Sequence, residues 1–164
     1  MRLLGIDPGL QKTGWGVIDY KNNSLSYVAS GTIKTNAKDA DPYRLAYIDA
    51  QLSQILGTWS IEQAAVEETF VNNNPKSALK LGQARGIALL APARAQIPVM
   101  EYSPTLIKKT IVGTGHASKD QINLMIKTLL PKAGDLKPDE ADALAIAITH
   151  AHHGTIHNLT QKAS

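Results

Sequence analysis

The acidic residues of this 164-residue chain fall where a fold could gather them. Asp7 ends the apolar run Leu3-Leu4-Gly5-Ile6 and is followed at once by Pro8-Gly9. Glu67 and Glu68 end a second run, Ala64-Ala65-Val66. Asp139 and Asp142 stand three apart in a stretch that reads as the start of a helix, which makes them neighbours on one face. Each acid has an ordinary explanation by itself. Asp before Pro-Gly suits a turn, and acids in a first helical turn suit the helix dipole. Together they are an oxygen-only donor set without histidine or cysteine, the kind that hard cations such as Mg²⁺ or Mn²⁺ take. Two such ions about 4 Å apart stabilise both the attacking and the leaving oxygens of an in-line phosphoryl displacement.

Strands and helices must place these acids. Leu3–Asp7 reads as a short buried strand, and residues 13–20 as a second strand running back beside it. The turn Lys21-Asn22-Asn23-Ser24 leads into a third strand over about 25–34, with Gly31 as the expected bulge. Asp41-Pro42 opens a helix, Asp as cap and Pro at the first helical position. Leu45, Ile48, Leu52, Ile55 and Leu56 give it an apolar stripe ending near Gly57. After the strand that ends in Glu67-Glu68 comes the polar loop 70–75, introduced by Phe70, the single phenylalanine in the chain. A helix over 76–91 carries Gly82 and Gly86 on one face. Each weakens it by roughly 1 kcal/mol relative to Ala, so either the sheet or a second copy of the helix is expected to approach there. Residues 98–102 read as a fifth strand, followed by a helix opened by Ser103-Pro104 that carries Lys108 and Lys109. Ser118 caps the next helix, with Lys119 at its start, where a cation gains nothing from the dipole. The last helix begins near Pro138, and its Ala141, Leu144, Ala145 and Ile148 stripe keeps Asp142 close to the core. His150, His152, His153 and His157 read as a frayed, exposed end. The β-β-β-α-β-α order with acids at these places is a ribonuclease H-like pattern: an α/β fold with a five-stranded mixed sheet flanked by helices. Residues 1–155 form one domain, and 156–164 a short tail expected to be disordered.

Composition narrows the partners. Hydrophobic residues make up 43% and charged residues 19% of the chain, as in ordinary globular domains. No run approaches the roughly 20 apolar residues of a membrane span, no signal peptide is visible, and there is no cysteine. A cytoplasmic location is the expectation. The formal charge of +3 is unevenly spread. Residues 76–132 carry 9 basic and 2 acidic side chains, net +7, whereas residues 1–75 and 133–164 are each net −2. A basic middle facing an acidic centre is the layout of a polyanion-binding surface, though a solvated helical surface would give the same count.

Several segments taken in order resemble one family. They are Ile6-Asp7-Pro8-Gly9 with Thr13-Gly14, Val66-Glu67, the run from Ser77 to Gly86, Val112-Gly113, and the run from Asp139 to Ala145. Across residues 2–153 the chain is similar to the RuvC family of bacterial Holliday junction resolvases. The resemblance implies a homodimer that makes paired cuts in four-way DNA junctions with Mg²⁺ (Mn²⁺ as substitute), one or two ions per subunit. It also implies cooperation with the RuvA and RuvB branch-migration complex. By position, the metal-binding acids are Asp7, Glu67, Asp139 and Asp142, which selects Glu67 over Glu68. Lys119 joins them as a catalytic residue, and Lys108 and Lys119 match basic positions that the family places near the DNA and the active site. Phe70 matches an aromatic near the junction crossover, where it could stack on an unpaired base. Lys76, Lys80 and Lys109 complete the expected DNA contacts. A two-fold junction needs two symmetric cuts and one chain offers one acidic centre, so a two-fold dimer follows, with the helix over 76–91 as its interface.

Other classes share parts of this pattern. Asp7-Pro8-Gly9 with Thr13-Gly14 also resembles the first phosphate turn of actin-like and sugar-kinase ATPases, which need two such domains. A nuclease for structured RNA and a non-catalytic junction-binding module share the fold, but a non-catalytic module would not need all four acids.

Overall fold

The computed structural model describes residues 1–69 and 73–161. Five strands form one mixed sheet in the order β3-β2-β1-β4-β5. They are β1 (Arg2–Asp7), β2 (Lys12–Lys21), β3 (Ser24–Lys34), β4 (Gln63–Glu67) and β5 (Val99–Tyr102). β1 pairs antiparallel with β2 and parallel with β4, so it is the central strand. That is why Leu3, Leu4 and Ile6 are all buried rather than alternating with polar residues. β2 and β3 form a hairpin whose turn residues Asn22 and Asn23 both have positive φ, 50° and 62°, the backbone that a two-residue hairpin loop requires. The register slips between Val17 and Ile18, leaving Val28 as the extra residue. The bulge is therefore not at Gly31, which pairs with Trp15. Its missing side chain makes room for the Trp15 indole, which a Cβ would meet at 2.7 Å.

Helices cover both faces. On one lie α1 (Asp41–Trp59) and α2 (Pro75–Arg94), packed on Leu4, Ile6, Val17, Ala64 and Val66. Asp41 sits in the first turn of α1 rather than at its cap, which is Ala40 and makes no side-chain bond. The helix runs past Gly57 to Trp59, and Ser60, in the left-handed region at φ 50°, closes it. α2 buries Ala84, Ala88 and Ala91, whereas a Cβ at Gly82 or Gly86 would meet nothing within 4 Å. The sheet is thus not what approaches that glycine face.

On the other face lie α3 (Pro104–Val112), α4 (Lys119–Leu129) and α5 (Pro138–Gln161), over Leu3, Ile18, Ala65 and Tyr102. α5 is seated on glycine. A Cβ at Gly5 would fall 2.0 Å from the Ala143 carbonyl oxygen, and one at Gly14 would fall 2.1 Å from that of Asp139. Only a strand surface stripped of side chains admits a helix backbone this closely.

Of the histidines expected at a frayed, exposed end, His152 is exposed, but His150 and His153 are tied into the fold. His150 is 3% exposed. The Tyr102 hydroxyl donates to its Nδ1 at 2.8 Å, and its Nε2 donates to Gln63 Oε1 at 2.8 Å. Burial pushes its pKa down to about 4, so the ring stays neutral and ties α5 to β4 and β5. His153 bonds to Thr110 of α3 at 2.9 Å. Of the tail expected over 156–164, the helix takes residues up to Gln161, and 162–164 lie outside the described residues.

Candidate metal and nucleic-acid site

Parallel pairing sets Ile6 beside Val66, so the next residues, Asp7 and Glu67, end neighbouring strands on one face. Asp7 pairs on its other side with Gly14. Because Gly14 lets α5 settle against β2, the first turns of that helix bring Asp139 and Asp142 over the same strand ends. Glu140 is occupied otherwise: its carboxylate accepts from the Lys137 N–H at 3.3 Å. The turn after Asp7 is fixed by Thr13, 1% exposed. Its hydroxyl donates to the Gly9 carbonyl at 2.7 Å and accepts from the Gly9 N–H at 3.3 Å.

The electrostatics record the crowding. The Asp7 carboxyl is pushed up from 3.8 to about 8, first by burial and then by Glu67, Asp142 and Asp139, with Lys119 opposing. Glu67 is raised by burial and by Asp142, against Lys108, a hydrogen bond with Asp7, and Lys119. Asp142 is raised by burial and Asp139, and is offset by Lys119 and Lys108. Lys119 Nζ stands 3.7 Å from Asp142 Oδ2 with its side chain 79% exposed. It is held at the start of α4 by a capping box: the Ser118 hydroxyl accepts from the Gln121 N–H, and the Gln121 side chain accepts from the Ser118 N–H. Lys108 and Lys119 line, with Glu67 and Asp142, a hollow of about 310 Å³ floored by Ile107, Ile122 and Ala145.

Among the described residues no three acidic or histidine side chains already stand at metal-binding distance. The donor set nevertheless suits a hard cation. It is all carboxylate oxygen, drawn from three elements, and so mutually repelling that one member holds its proton near neutrality.

The other expected contacts lie elsewhere. Lys109 is exposed beside Lys108 on α3. Lys76 and Lys80 are on α2, across the sheet, where Lys80 Nζ is 3.8 Å from Asp41 Oδ2. Phe70 lies outside the described residues. The glycine seat was missed by sequence reasoning, although Gly14 and Gly16 at strand spacing, with Gly5 on the partner strand, were its signal.

A mixed five-stranded sheet with carboxylates at adjacent central strand ends, faced by acids on a helix laid across them, is the ribonuclease H-like architecture of nucleases. The comparisons narrow this. Residues 3–150 match the model of crossover junction endodeoxyribonuclease RuvC. Proteins of that name from Paramagnetospirillum magneticum and Azorhizobium caulinodans are 53% and 54% identical over 153 residues, covering 93% of this chain and 92% and 90% of theirs. Thermus thermophilus RuvC in complex with a Holliday junction substrate superposes with a TM-score of 0.89 at 34% identity over 96% of each chain. The yeast mitochondrial Holliday junction resolvase shares the fold at a TM-score of 0.65 and 13% identity, covering 96% of this chain and 85% of its own. The chain belongs to the RuvC family of crossover junction endodeoxyribonucleases.

Proposed function

We propose that this chain resolves four-way DNA junctions by paired, symmetric, metal-dependent hydrolysis of phosphodiester bonds, as part of recombination and repair. The observation that carries the reading is the convergence of four carboxylates, Asp7 and Glu67 at adjacent strand ends with Asp139 and Asp142 on the helix laid over them, whose crowding adds to burial in raising the Asp7 carboxyl. A fold that assembles such repulsion on a glycine-seated helix is built to receive a cation. Asp7, Glu67, Asp139 and Asp142 are the residues that would hold Mg²⁺, or Mn²⁺ in its place, as one or two ions. When bound, such ions supply Lewis-acid stabilisation of phosphoryl charge and lower the pKa of water.

The chain's own residues do the rest. As a ligand Asp7 would act in its carboxylate form, without the proton that burial and its acidic neighbours favour. Lys119, exposed but anchored beside Asp142, meets the phosphate undergoing attack and stabilises charge that grows in the transition state. Lys108, on the far wall of the same hollow, orients the strand. Lys109 and Lys76 are DNA contacts further out, and Phe70, outside the described residues, is a further expected contact.

The active unit is a two-fold dimer. Leu79 and Leu90, 69% and 50% exposed, flank Gly82 and Gly86 on the outer face of α2, and a second α2 could approach that stripe closely. Likeness to the family supports cooperation with RuvA and RuvB and action in the cytoplasm. No described helix is long and apolar enough to cross a membrane.

A labelled four-way junction and a linear duplex of matching sequence, each with Mg²⁺ or Ca²⁺, test the reading. Mg²⁺-dependent nicks at symmetric positions in the junction alone, lost in Asp7→Asn, are expected. Equal cutting of the duplex, or an active Asp7→Asn, would contradict it.

A further inference from the structure

Two lysines from the net-acidic first part of the chain stand beside the carboxylates. β2 begins with Lys12 and β3 ends with Lys34, and the two are register partners. Gly14, two residues along β2, pairs with Asp7 on one side and Thr32 on the other. Residues two apart on a strand share a face, so Lys12 and Lys34 belong to the face that carries Asp7. They lie about 7 Å beyond the Asp7 row, two strand steps, at the end of the sheet where the carboxylates are.

Both are exposed, and none of the ion pairs among the described residues involves either. Like charges directly opposite each other destabilise an antiparallel pair. The fold gains nothing from this arrangement, whereas a bound polyanion would relieve it. Lys108 and Lys119 approach the carboxylates from α3 and α4, on the β4–β5 side, so these two lysines flank the acidic row from the opposite direction.

We propose that Lys12 and Lys34 form a phosphate-contact pair for the DNA strand on the β2–β3 side of the carboxylates. They would hold that strand one or two phosphates away from the bond cut between Asp7 and Lys119. The proposal rests on the reading of the chain as a junction nuclease.

Lys12→Glu and Lys34→Glu test it beside Lys21→Glu, an equal charge change at the far end of the same hairpin. Junction affinity is measured by fluorescence anisotropy in Ca²⁺ across a salt series, with cleavage in Mg²⁺ and Tm recorded for every protein. Lys12→Glu and Lys34→Glu should each weaken binding roughly tenfold at low salt and flatten the plot of log K against log salt by about 0.9. Lys34→Glu turns the repelling cross-strand pair into an attracting one, so its Tm should be kept or raised while its affinity falls. Lys21→Glu should bind like wild type. If the two variants bind no more weakly than Lys21→Glu and keep the wild-type slope, the lysine pair is overturned and the junction reading stands. A wild type that neither binds nor cuts the junction overturns the junction reading and the pair with it.

Discussion

On the face covered by α1 and α2, the ends of β1 and β4 bring Ile6 and Val66 together, both at 0% exposure. One residue further along, on the face covered by α5, the same strands bring Asp7 and Glu67 together. The first pair is ordinary core. In the second, burial and the neighbouring carboxylates raise the Asp7 carboxyl to about 8. What keeps the second face intact is its helix. α5 lies directly on Gly5, Gly14 and Gly16 and buries Ala143, Leu144, Ala147 and Ile148 completely. The apolar face needs no such device, and the glycines on its helix, Gly82 and Gly86, face outward instead. One set of glycines admits a helix from the same chain, and the other has open space before it.

Substitutions on each side break or sharpen this contrast. The largest effect is expected from Asp7→Asn, which should abolish junction cleavage while leaving binding in Ca²⁺ within a few-fold. It should also stabilise the metal-free protein, in a pH-dependent way. The folded state binds a proton at Asp7 between 3.8 and about 8 that the unfolded chain has released. Wild-type stability therefore falls as pH rises through that window. Thermal unfolding without divalent cations should show a higher Tm for Asp7→Asn at pH about 8 than for wild type, and a smaller gap at pH about 5. Each kcal/mol relieved is worth roughly 2–4 °C in a chain of this length.

Gly14→Ala comes next. Its Cβ would fall 2.1 Å from the Asp139 carbonyl oxygen, so α5 must lift. Urea unfolding should show a loss of about 1–3 kcal/mol, and cleavage should fall further than stability explains because Asp139 and Asp142 move with the helix. Lys119→Ala should slow single-turnover cleavage by roughly 10²-fold while junction affinity changes little. Normal single-turnover chemistry with a large binding loss would make Lys119 a plain phosphate contact. Smallest is Gly82→Ala. With open space around its Cβ, it should stabilise α2 by up to about 1 kcal/mol and weaken self-association in sedimentation. Unchanged association would remove this face of α2 as the dimer contact.

Much of this is legible in the sequence. The run Leu3–Asp7 announced a buried central strand because both its faces are apolar, and Asp139 and Asp142 announced one helix face by spacing alone. The five strands and their flanking helices fell close to their expected bounds because turn residues punctuate them. What was not legible depended on contacts distant in sequence. The run 64–68 by itself leaves Glu67 and Glu68 open; the family resemblance selects Glu67, and the pairing with β1 that sets it beside Asp7 is stated by no local pattern. His150 reads as surface by type, but Tyr102 and Gln63, 48 and 87 residues away, satisfy both ring nitrogens and bury it. The bulge went to Val28 rather than Gly31 because Gly31 was needed to make room for the Trp15 indole. Lys12 and Lys34 were invisible to segment charge, since the stretch that holds them is net acidic and only the hairpin register brings them together.

Divalent-cation binding followed by calorimetry tests the central claim most directly. Wild type and Asp7→Asn would be titrated with Mn²⁺ near neutral pH in two buffers of different ionisation enthalpy. A carboxyl held up to about 8 must lose its proton when the cation enters. Wild type should therefore bind with measurable proton release, and Asp7→Asn should bind at least roughly tenfold more weakly and release less. Equal affinity in the two proteins, with no proton released by wild type, would show that the carboxylate row is not where the cation goes.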